Sequence, residues 1–72
     1  MSDGATRVWL QGDGTPISCR DKLRMLDDNH AELAQVMQDA FEDAVLMGVD
    51  EQAMRAILQG MVDALDSPKS AQ

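Results

Sequence analysis

An all-α fold, an antiparallel hairpin of one long and one shorter helix, is predicted by three features of the sequence. Apolar residues recur at alternating steps of four and three from Cys19 to Met47. A second apolar stripe runs from Met54 to Leu65. Only Gly48 and Val49 separate the first stretch from the cap of the second, and so short a link folds two helices back on one another.

Residues 1–17 read as an N-terminal arm. Val8-Trp9-Leu10 is a short apolar run, Gly12-Asp13-Gly14 is a turn signal, and Pro16 bars a helix immediately before it. A small β-hairpin pairing Val8–Leu10 with Thr15–Ile17 is expected to lean on the rest of the chain, since two strands alone are marginal in water. Ser18 is the expected N-cap of the long helix, with Asp21 favouring its positive end. The helix is predicted over about 19–47. Its seam runs through Cys19, Leu23, Leu26, His30, Leu33, Met37, Ala40, Ala44 and Met47, with Gly48 as the C′ residue that stops it.

The shorter helix is predicted over about 51–66, from the N-cap Asp50 to the break at Ser67-Pro68. Val49 and Met54 hold the N′ and N4 positions of a hydrophobic staple. Ala56, Gly60 and Ala64 form a smooth ridge open to another helix, and residues 68–72 read as a disordered tail. The expected domain organisation is therefore an arm over 1–17, a hairpin over 18–67 and that tail.

The hairpin reads as incomplete. At 1.5 Å per residue the helices would run roughly 43 and 24 Å, so the shorter one leaves Cys19, Leu23, Leu26 and His30 beyond its reach. Phe41, Val45 and Leu46 wrap the other end of the long helix on more sides than one neighbour covers. A chain of 72 residues is short for a self-sufficient core, and a single cysteine rules out an internal disulfide. Arg20, Lys22 and Arg24 open the long helix while Asp39, Glu42 and Asp43 close it, an order that opposes the helix dipole. Two copies laid antiparallel set each basic end beside an acidic one. The preferred assembly is a two-fold dimer forming a four-helix bundle, with an obligate larger protein partner as the other way to finish the surface.

A net charge of −7 argues against sequence-independent binding to nucleic acid or anionic membrane. No apolar run approaches a membrane span, the start Met1-Ser2-Asp3-Gly4 does not read as a signal peptide, and a lone reduced cysteine suits the cytoplasm of a bacterium-like cell.

Candidate chemistry is sparse. His30, on the seam where an aliphatic residue is expected, reads first as a histidine satisfied in or at the edge of a core. Cys19, in the first helical turn, reads as a small apolar residue, although that position also favours a thiolate. The acids of the long helix fall mostly off the seam and read as a solvated face, not a di-metal carboxylate site. The methionines read as gap-fillers of the core. No metal, cofactor or catalytic residue is assigned, and no enzymatic activity is expected. Arg20, Lys22 and Arg24 are the possible nucleic-acid contacts. In hairpin length and seam the chain resembles small plasmid copy-control dimers that bind RNA loop pairs, and that resemblance implies an RNA-loop-binding alternative. The reading reached first is a non-enzymatic protein–protein interaction module, a self-associating regulatory or accessory subunit. Its expected contacts are Trp9, Leu23, Leu26, His30, Leu33, Met37 and Phe41.

Overall fold

The computed structural model describes residues 7–69; the start Met1–Gly4 and tail positions 70–72 lie outside them. Two helices carry the fold, α1 over Arg20–Leu46 and α2 over Glu51–Asp63, with almost no strand. The chain divides into two compact units, Met1–Ala34 and Gln35–Gln72, and the division falls inside α1.

In the first unit the backbone turns at residues 11–14, where Gly14 N–H donates to the Gln11 carbonyl at 3.0 Å and Gly14 takes φ +89. Asp13 Oδ1 accepts from the Thr15 hydroxyl at 2.7 Å and from its N–H at 3.0 Å. Those bonds hold the Asp13 carboxyl below its usual range, so their support is present at neutral pH and lost in acid as the carboxylate protonates. The expected β-hairpin is reduced to one isolated antiparallel bridge, Leu10 with Pro16. Gln11 N–H donates to the Thr15 carbonyl and Ile17 N–H to that of Trp9. Pro16 has no N–H to extend the ladder.

The start of α1 lies one residue later than Ser18 as cap would place it. Cys19 holds the cap position: its carbonyl accepts the first intrahelical bond, from Leu23 N–H at 3.0 Å, and its sulfur faces the N–H groups of Asp21 and Lys22. The other end of α1 closes in a Schellman motif. Val49 N–H reaches back to the Ala44 carbonyl and Gly48 N–H to that of Val45, with Gly48 at φ +103. Nothing lies within 4 Å of a methyl added there, so the cost of Gly48→Ala is conformational alone. It is expected to be about 1 kcal/mol, read as a lowered thermal midpoint.

In α2 the Asp50 side chain accepts from Ala53 N–H at 2.9 Å, as its cap role requires. The helix stops at Asp63, three residues short of the expected end, and Ala64 caps it with φ −86. Two terms oppose further turns: Asp63 and Asp66 face the negative end of the dipole, and Ser67, preceding Pro68, is kept out of the α region. At 1.5 Å per residue the observed helices run roughly 40 and 20 Å.

Ala44 is the one buried apolar residue among those described. In the first unit Trp9, Ile17, Leu23 and Leu26 are half-buried; in the second, Phe41, Val45, Met54 and Leu58 are. Among the described residues no large side chain is fully buried in either unit.

Candidate interaction surface

Trp9 is fixed by polar contacts in the first unit. Its indole Nε1 donates to Asp27 Oδ1 at 2.9 Å, and its ring meets the His30 ring edge-on, centroids 6.1 Å apart at 77°. The Arg7 guanidinium stands 5.6 Å from the Trp9 ring centre and pairs with the same Asp27 oxygen at 3.5 Å. A half-buried indole needs an acceptor for its N–H, and Asp27 supplies one from the turn between Leu23 and His30. Asp27 read as a solvated acid in the sequence. The signal that identifies it is its position, four residues after Leu23 and three before His30, which puts it on the edge of the seam.

Of the expected contact residues in this unit, Leu23 and Leu26 are half-buried, whereas His30 and Leu33 are exposed. His30 is held by the edge of Trp9 rather than by a core.

Cys19 is exposed and unpaired with another cysteine. The N–H groups of Lys22 and Asp21, and then the Lys22 charge, hold its thiol below the ordinary value. Cys19 is therefore an exposed residue at the start of α1, not the packed small seam residue the spacing suggested. Alkylation by iodoacetamide is expected to show a midpoint below the ordinary thiol value of about 8.5. Lys22→Ala should move that midpoint only slightly upward, because the backbone donors remain. The folded chain favours the thiolate, so this contribution to stability is present above the ordinary thiol value and is lost as pH falls through the lowered one.

Arg20, Lys22 and Arg24 are all exposed, but they do not form one patch. Positions two apart on a helix point to different sides, so Lys22 stands away from Arg20 and Arg24. Arg24 lines a shallow surface depression with Asp21, Asp28 and Glu32. Trp9, the aromatic available for stacking, already carries Arg7 against its ring and Asp27 on its nitrogen.

In the second unit Phe41 is half-buried, with the Arg55 guanidinium 4.7 Å from its ring centre, a cation–π pair the sequence reading missed. Met37 is exposed. None of the described methionines is buried: Met25, Met37, Met47 and Met61 are exposed, and Met54 is half-buried. Flexible, polarizable side chains at a surface suit an adaptable contact face. Leu46 and Leu65 are 85% and 77% exposed, and a shallow apolar groove is lined by Phe41, Glu42, Val45 and Leu46. The acids here bond to neutral amides: Asp39 accepts from Gln35, Glu42 from Gln38 and Asp63 from Gln59. Their charges stay uncompensated.

Among the described residues no group of three or more His, Cys, Asp or Glu is arranged to hold a metal ion. No helix there is long and apolar enough to cross a membrane. No protein-family model, curated protein or solved structure matches the chain.

Proposed function

We propose that this chain is a small non-enzymatic protein–protein interaction module, self-associating into a four-helix dimer and serving as a regulatory or accessory subunit. The observation that carries the reading is the burial pattern: one buried apolar residue, Ala44, against a long series of exposed aliphatic side chains on both helices. Each ordered residue costs about 1.5 kcal/mol of conformational entropy, and a core of one alanine with half-buried neighbours offsets little of that. A second surface supplies the missing burial. With Trp9 clasped to Asp27 and His30, and Phe41 under Arg55, Leu33 and Met37 are the members of the expected contact set left open.

The thermal midpoint tests this reading, because association of folded chains makes stability depend on concentration. The midpoint is expected to rise several degrees across a hundredfold increase in protein. A midpoint independent of concentration, with full helix content at high dilution, would show that the single chain is complete.

A further inference from the structure

We propose that the hairpin of the second unit holds a basic amphipathic helix of another protein, in the open groove on its side away from Arg55. This goes beyond self-association and gives the accessory role a partner of stated chemistry. All the residues involved lie within Gln35–Gln72. The contact of Arg55 with Phe41 marks one side of the hairpin. At 3.6 residues per turn, Ala40 and Met47 stand on the other side of the buried Ala44 from Phe41. Ile57 and Met61 likewise stand on the other side of Met54 and Leu58 from Arg55. Met47, Ile57 and Met61 are 79%, 56% and 62% exposed.

Beside Ile57 and Met61 run Ala53, Gly60 and Ala64, each three or four places from one of them. A methyl added at Gly60 meets nothing within 4 Å, so no neighbour in this chain requires a glycine there, in the interior of a helix that glycine weakens. A floor of small residues lets the backbone of a further helix come close, and the methionines next to it adapt to the side chains it brings.

Charge selects the kind of helix. From Gln35 onward the chain has seven acids against two bases, Arg55 and Lys69. Arg55 lies on Phe41, and Lys69 follows Pro68 beyond the end of α2. Asp43 stands one turn before Met47, and Asp63 one turn after Gly60 with its carboxylate on the neutral Gln59 amide. Carboxylates thus border the groove on both helices. A second copy of this unit would set the same acids against them. A helix with aliphatic side chains on one face and lysines or arginines at its edges matches the floor and the rim together.

Titration of the full chain into fluorescent peptides tests the proposal. The probe is a peptide of leucine and lysine, about five helical turns long with its leucines on one face; the control has glutamate for every lysine. The lysine peptide is expected to bind about tenfold more tightly at low salt, with the gap narrowing as salt rises. Gly60→Leu separates docking in the groove from general attraction between opposite charges. It keeps every charge, adds apolar area and favours the helix, yet is expected to weaken the lysine peptide about tenfold by filling the floor. Asp43→Lys with Asp63→Lys, both charges the last turn of a helix prefers, is expected to weaken it about as much. Equal binding of the two peptides, or an affinity that Gly60→Leu leaves unaltered, would overturn the proposal. Sedimentation of the same proteins without peptide keeps this reading apart from self-association. Gly60→Leu is expected to leave a dimer intact; a dimer it dissociates would assign the groove to a second copy and overturn the proposal. A monomeric chain that still binds the lysine peptide would overturn self-association and leave the docking standing.

Discussion

Leu33→Glu is expected to weaken self-association about 100-fold, equivalent to about 3 kcal/mol, while leaving the single chain intact. Leu33 is exposed, so the substitution removes no internal packing and its cost within one chain stays within roughly 0.5 kcal/mol. In the proposed dimer Leu33 belongs to the contact set left open for the second chain. Each new carboxylate must lose water on association. Leu33→Ala removes only apolar area and is expected to cost about tenfold. Dissociation constants from sedimentation, with helix content followed by circular dichroism, check the ordering of native, alanine and glutamate. Equal affinity for all three would place the contact away from Leu33.

Trp9→Ala is the other substitution with a large expected effect, and it acts within the first unit. It removes at once the indole bond to Asp27, the edge contact on His30 and the surface over which Arg7 lies. Together these are expected to be worth about 2 kcal/mol, discounted for their exposure. Trp9→Phe keeps an aromatic ring but has no N–H for Asp27, and should lose about half as much. Tryptic cleavage after Arg7 and Arg20 is the readout, since it needs the segment to open. It is expected to accelerate about tenfold in the alanine variant, and cleavage at the native rate would show that Trp9 does not hold the segment.

The features legible in the sequence were those set by neighbours in the chain. Gly48 and Asp50 fix the turn between the helices because a Schellman motif and an Asx cap use local bonds, and both form as expected. Other positions were decided by geometry that spacing does not carry. Ser18 and Cys19 both precede the first turn, and the backbone starts α1 at Arg20, which gives Cys19 and not Ser18 the cap position. The end of α2 depends on how far two aspartates and Pro68 are felt upstream, which moved it from about residue 66 to Asp63. Asp27 looked like one acid among many because its partner Trp9 lies eighteen residues away. The methionines matched the seam rhythm, but rhythm fixes a face of the helix and not whether anything covers it. Leu33 and Met37 keep the seam rhythm and are exposed all the same, as are Met25 and Val36 beside it.

What unites these features is a chain with too little interior for its length. The helices are well capped at the turn, the indole is anchored, and the remaining apolar surface is open. Sedimentation equilibrium of the native chain from low to high micromolar concentration tests that account most directly. The account predicts the mass of two chains at the upper end, falling towards one on dilution. A single-chain mass throughout, with helix content unchanged, would contradict it.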